Sequence, residues 1–270
     1  MADVEARGLR FHVVRLGSGN PTVVFLHGLV MDNLSSWYFT VANPVARAAD
    51  VILFDLRGHG KTERPRTGYT VDSLVADVDA LLDALVPDGR AVELVGNSFG
   101  GLLALAYAIA HPERVRGLAL VDANMTDDSW AGEITRAFAL KGAERDEMIM
   151  KYAHRWAGRH SERKANRLIV NSHHLTRGTT LVDDLASSPP VTDEQLATIR
   201  CPVLALYGTD SELLDRGERL GRTIPNCEVR LFSGCTHLLL WEATEKLKEH
   251  IAEWIARPQE RATAPSSSLL

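Results

Sequence analysis

Two spacings of apolar residues alternate along this chain. Short β-branched or apolar runs at Thr22–Leu26, Val51–Phe54, Ala91–Val95, Gly117–Val121, Pro202–Tyr207 and Cys227–Phe232 predict strands, and Val51-Ile-Leu-Phe and Leu118-Ala-Leu-Val are continuous enough for strands covered on both faces. Between them lie stretches of helical period. Val71, Leu74, Val75, Val78, Leu81, Leu82 and Leu85 recur at three- and four-residue steps, with Asp72, Asp77, Asp79 and Asp83 off that face, which predicts an amphipathic helix. Gly101–Ala110 is apolar all round and predicts a helix buried against a sheet, while Leu238–Ile255 repeats the amphipathic pattern. Leu9–Arg15 predicts one or two antiparallel edge strands. Strand–helix alternation of this kind implies an α/β fold, a mostly parallel sheet with helices on both faces, and places any site outside the carboxyl ends of the strands.

Residues 124–200 break the alternation. They hold no clear strand, are rich in helix formers, His, Arg and Lys, and predict a helical insertion lying over a core made of residues 1–123 and 201–256. Residues 257–270 are rich in Pro and Ser and predict a disordered tail. With 270 residues and 45% apolar content, one such core plus one insertion is the expected scale.

A net charge of −5 with scattered Lys and Arg excludes a nucleic-acid binder of the usual basic kind. Cys201, Cys227 and Cys235 are an odd set without metal-like spacing, so reduced thiols are expected rather than a disulfide framework. The charged N-terminus is no secretory signal, and the longest apolar run is about half a membrane span. These features predict a soluble cytoplasmic protein with a small-molecule partner, no membrane or nucleic acid, no metal and no cofactor. A homo-oligomer is compatible with all of them.

The candidate chemistry starts at Gly96-Asn-Ser-Phe-Gly-Gly, between a predicted strand and a predicted helix. A strand turning directly into a helix strains the residue at its apex and needs small neighbours two positions away. Gly96 and Gly100 meet that need, so Ser98 is the candidate nucleophile, raised at a helix N-terminus. A bare Gly-x-Ser-x-Gly arises by chance in about one chain in ten of this length; the flanking strand and helix supply the specificity. A hydroxyl needs a base. Of the ten histidines, His237 follows the last predicted strand through Ser233-Gly-Cys-Thr, on the same sheet edge as Ser98. For the carboxylate, Asp210 in the turn Gly208-Thr-Asp is the first candidate and Asp122, just after Gly117–Val121, is the alternative.

Together with His27-Gly28-Leu29 and Asp55-Leu-Arg-Gly-His-Gly60, these residues resemble the α/β-hydrolase family, in particular small-molecule serine hydrolases with a helical cap. The likeness implies a Ser98–His237–Asp210 triad, an oxyanion hole formed by the amides of Leu29 and Phe99, and a loop-shaping rather than catalytic His27. The chain departs from the family at one point. The usual acid turn is Gly-x-x-Asp; here it is one residue shorter and Ser211 stands in the expected place, which keeps Asp122 open. Asp32, Asn33, Trp37 and Trp241 are the candidate substrate contacts, while Trp130, Phe138, Tyr152 and Trp156 of the insertion either line a pocket or pack cap on core. The implied activity is hydrolysis of a small ester, thioester or activated carbon–carbon bond. An acyltransferase or elimination enzyme with the same triad, or a non-catalytic ligand-binding member, are the alternatives.

Overall fold

The computed structural model describes residues 2–139, 170 and 172–257. Eight strands form one sheet: β1 (Ala2–Ala6), β2 (Leu9–Leu16), β3 (Thr22–Leu26), β4 (Asp50–Phe54), β5 (Val92–Asn97), β6 (Val115–Val121), β7 (Val203–Gly208) and β8 (Cys227–Phe232). Their spatial order is β1-β2-β4-β3-β5-β6-β7-β8. β2 pairs antiparallel with β1 and with β4, and every other pairing is parallel.

The apolar runs follow from this topology. Successive side chains on a strand point to opposite faces, so a strand covered twice must be apolar at every position. Val24 and Leu26, Leu94, Leu118 and Leu120, and Val203, Ala205 and Tyr207 enter one core layer. Their alternates Val23 and Phe25, Val95, Ala119 and Val121, and Leu204 and Leu206 enter the other. The first layer is closed by α1 (Val71–Leu85) and α2 (Phe99–Ala110), the second by residues 35–45. Further helices follow: α3 (Trp130–Ala139), α4 (Leu181–Ala186), α5 (Leu214–Thr223) and α6 (Thr244–Ala256), the last also on the second layer.

Three local departures from the sequence pattern have physical reasons. Asp77 is buried on α1 rather than turned to solvent, because the Arg57 guanidinium meets both its oxygens at 2.6 Å and Arg7 adds a bond at 2.8 Å. The expected C-terminal helix is broken at Ala243, whose φ of −125° separates Leu239–Glu242 from α6. The stretch from Ser35 to Val45, not foreseen as helical, is helical throughout and contains a π-turn at Tyr38–Ala42.

Between β6 and β7 the described residues hold helices and no strand. Trp130 of α3 stacks on Phe99, with ring centroids 6.4 Å apart, and its indole N–H donates to the Leu185 carbonyl at 2.7 Å. Of the insertion's aromatics, Trp130 therefore packs on the core. Tyr152, Trp156 and the side chain of Phe138 lie outside the described residues, as do residues 258–270 of the expected tail.

Candidate active site

β5 ends at Asn97 and α2 begins at Phe99, leaving Ser98 alone to turn the chain at φ 52°, ψ −116°. A non-glycine residue is costly there, and the surroundings hold it. Its amide donates to the Val121 carbonyl at 3.0 Å, and its carbonyl accepts from Gly101, Leu102 and Asn124 at 3.0, 3.2 and 3.0 Å. A Cβ on Gly96 would collide with the Gly100 backbone, one on Gly100 with the Leu26 carbonyl of β3, and one on Gly101 with the Ala123 side chain. The three glycines let the turn close and let α2 lie against the sheet.

His237 arrives from the loop after β8. Its Nε2 lies 3.0 Å from Ser98 Oγ and its Nδ1 lies 2.7 Å from Asp122 Oδ2. Since a carboxylate only accepts, Nδ1 carries the proton and Nε2 is the acceptor facing the serine hydroxyl. Asp122 stands directly after β6 at φ 44°, fully buried. A buried carboxylate must be matched by donors. Besides the imidazole, Oδ1 accepts the Gly208 amide at 3.1 Å and Oδ2 accepts the Ser211 hydroxyl at 2.6 Å.

Asp210, the first sequence candidate for the acid, is not at this site. It is exposed, and its carboxylate accepts from the neighbouring Thr209 hydroxyl at 3.0 Å. The reason is the short turn: the Asp210 amide binds the Cys235 carbonyl at 3.0 Å, and the next side chain, Ser211, is the one buried against Asp122. The structure therefore brings together Ser98, His237 and the alternative carboxylate.

The loop after β3 is built around two buried histidines. His27 Nε2 accepts the Leu56 amide at 2.9 Å and its Nδ1–H donates to the Gly28 carbonyl at 2.7 Å. His59 Nε2 accepts the Val30 amide at 2.8 Å while its Nδ1–H donates to the Arg57 carbonyl at 2.8 Å. Burial, reinforced by the neighbouring His27, lowers the His59 pKa to about 3, so it stays neutral and keeps this bond in mildly acidic solution. Asp55 accepts the amides of Leu34 at 2.9 Å and Lys61 at 2.8 Å, tying the two loops together. His27 thus shapes the loop as the family likeness implied, whereas the roles of Asp55 and His59 were missed in the sequence, although both lie within the quoted Asp55–Gly60 motif.

The proposed substrate contacts resolve differently. Trp37 is fully buried, tilted against Phe25 and bonded through its indole N–H to the Leu26 carbonyl at 2.9 Å, so it is a core residue and not a substrate contact. Asp32 uses one oxygen on the Gly28 amide and the other on the Asn33 amide, both at 2.8 Å. Asn33 accepts the Ser35 amide at 3.0 Å through its side chain. Both residues shape the loop. Trp241 is half-buried and packs against the second core layer.

Residues 21–244 match the family model of the alpha/beta hydrolase fold. The chain belongs to the α/β-hydrolase family. It is 32% identical over 255 residues to a 2-hydroxy-6-oxo-2,4-heptadienoate hydrolase of Pseudomonas putida, covering 87% of this chain and 88% of that one. It is 30% identical to a 2-hydroxy-6-oxononadienedioate/2-hydroxy-6-oxononatrienedioate hydrolase of Paraburkholderia phymatum, covering 92% of each. Among solved structures, a meta-cleavage product hydrolase of Pseudomonas fluorescens IP01 superposes with a TM-score of 0.78 at 22% identity, over 94% of this chain and 97% of that one, a likeness of fold. This α/β-hydrolase is a hydrolase of small molecules, and among the described residues no helix is long and apolar enough to cross a membrane.

Proposed function

We propose that Ser98, His237 and Asp122 form the catalytic triad of this hydrolase, with the amides of Leu29 and Phe99 as its oxyanion hole. The observation that carries this reading is the unbroken chain Ser98 Oγ–His237 Nε2 at 3.0 Å and His237 Nδ1–Asp122 Oδ2 at 2.7 Å. His237 takes the serine proton as Ser98 Oγ adds to the substrate carbonyl, and Asp122 stabilises the imidazolium that results. The Gly28 amide donates to Asp32 and the Val30 amide to His59, which supports the Leu29 amide between them as an oxyanion donor. Phe99 offers the second amide at the first position of α2. Each such donor lowers the barrier by about 3 kcal/mol. Collapse of the tetrahedral adduct expels the leaving group, which takes the proton from His237. Water, activated by the same imidazole, then releases the acyl group from Ser98.

The bond broken is the C5–C6 carbon–carbon bond of a 2-hydroxy-6-oxo-dienoate in its keto form. The 2-hydroxyl proton first moves to C5, so that after Ser98 adds to the C6 carbonyl the departing C5 carbanion is conjugated through C3=C4 to the C2 carbonyl and takes the proton from His237 as a dienol. The names of the two full-length relatives support this over a simple ester. The described helices between β6 and β7 act as part of a cap over Ser98, a reading supported by Trp130 stacked on Phe99 beside the nucleophile. Steady-state assay of 2-hydroxy-6-oxo-2,4-heptadienoate beside p-nitrophenyl butyrate tests the proposal. The dienoate is expected to show the higher kcat/KM, with both activities lost in Ser98→Ala. Turnover of the ester alone would overturn the carbon–carbon assignment, and full activity in Ser98→Ala would overturn the triad.

A further inference from the structure

Ser211 stands where the sequence led one to expect a carboxylate, and its hydroxyl ends on the carboxylate that took that place. Its donor direction is fixed by its neighbours. The Leu213 amide can only donate, and it reaches Ser211 Oγ at 3.1 Å. The hydroxyl proton is thus free to point to Asp122 Oδ2, 2.6 Å away, the same oxygen that meets His237 Nδ1. Ser211 is itself buried and held by its amide on the Gly208 carbonyl at 3.2 Å.

We propose that Ser211 is a positioning residue of the active site: its hydroxyl locks the Asp122 carboxylate in register with His237 and takes up part of its negative charge. The inference rests on the assignment of Asp122 as the triad carboxylate. A short bond to a carboxylate oxygen competes for the charge that would otherwise face the imidazolium. Ser211 therefore sets both the orientation of the acid and how strongly it holds the imidazolium that forms on His237.

Other charged and titratable groups around the pair are accounted for. From β7 the Tyr207 phenol is kept neutral by burial and donates to the Ala123 carbonyl at 2.8 Å. From α5 Arg216 is held by Asp127 and Glu133. In the His237 loop burial raises the Cys235 thiol, and Glu242 accepts the Thr236 amide at 2.7 Å. Asp210 is exposed. Among these groups, Ser211 is the one whose removal changes a bond on Asp122 without adding or removing a formal charge.

The test is the rate at which a fluorophosphonate probe labels Ser98 as a function of pH, in wild type, Ser211→Ala, Ser211→Thr and Asp122→Asn, each checked for folding by thermal melting. Ser211→Ala is expected to slow labelling by about tenfold, the range for loss of a hydrogen bond to a charged group. Its acid-side midpoint should move up by about half a unit, because the carboxylate, relieved of one donor, holds the imidazolium proton more tightly. Ser211→Thr, which keeps a hydroxyl, is expected to restore both. If Ser211→Ala does not fold, Ser211→Cys, a weak donor of similar size, is read the same way. An unchanged or lowered midpoint in the folded variant would overturn the proposal, even with a reduced rate. Asp122→Asn separates the two levels: slow labelling there beside a wild-type profile in Ser211→Ala refutes the role of Ser211 alone, while wild-type labelling in Asp122→Asn refutes the assignment beneath it.

Discussion

The carboxylate that meets His237 is decided by a single residue of turn length. In Gly208-Thr-Asp-Ser the side chain buried against His237's partner is Ser211, and Asp210 is left in solvent. Asp122 reaches His237 from the end of β6 because its left-handed φ of 44° turns the chain out of the strand there. Asp122→Asn is expected to lower kcat by on the order of 10³–10⁴, the effect seen when a triad imidazole loses its orienting carboxylate. Asp210→Asn should leave kcat within about twofold, since surface changes away from a site have small effects. Parallel ester-hydrolysis kinetics on the two variants check this. The meeting of Ser98 with His237 was legible because each follows a strand in a recognisable loop. The choice of acid was not, because two aspartates follow neighbouring strands and only the folded turn shows which one is buried. Trp37 was misjudged for a related reason: sequence proximity to the loop of Leu29 cannot show that its indole turns back to the Leu26 carbonyl.

At the scale of elements, the inner strands β3, β4, β6 and β7 were the most legible part, because double coverage leaves a nearly continuous apolar signature, which the edge strand β8 with Glu228 and Arg230 lacks. One position on β5 breaks it. Glu93 is buried beside Gly117, with Arg116 Nε at 3.3 Å from one carboxylate oxygen but out of line for a hydrogen bond. Burial raises its pKa from 4.5 to about 7. The folded chain thus holds this proton more tightly than the unfolded one. The contribution to stability is full below pH 4.5 and is lost as pH rises through about 7. Melting curves from pH 5 to 8 should show wild type losing more stability than Glu93→Gln, whose side chain cannot ionise. The elbow glycines make a second element-scale prediction. Gly100→Ala drives a methyl into the Leu26 carbonyl, so it should prevent folding or cost several kcal/mol by thermal melt.

Across the whole molecule, the sheet and the inserted helices are joined by polar ties as well as by apolar packing. Asp184 of α4 accepts the backbone amides of Gly68 and Tyr69 at 3.2 and 2.7 Å. Buried Arg216 of α5 bonds Glu133 of α3 through both carboxylate oxygens at 2.9 and 2.8 Å, and reaches Asp127 as well. Arg216→Met is expected to lower stability by about 1–2 kcal/mol, discounted for the solvent that reaches its partners, as read by thermal melting. That the described residues between β6 and β7 hold no strand was legible from the loss of strand–helix alternation, whereas the contacts of α3 with α5 were not, since they depend on pairs more than 80 residues apart.

The central claim is that Ser98 is the nucleophile, activated through His237. Intact-mass and peptide mapping after treatment with a fluorophosphonate tests it most directly. One adduct is predicted, on the peptide carrying Ser98, lost in Ser98→Ala and formed far more slowly in His237→Ala. An adduct on another residue, or no adduct on folded wild-type protein, would contradict it.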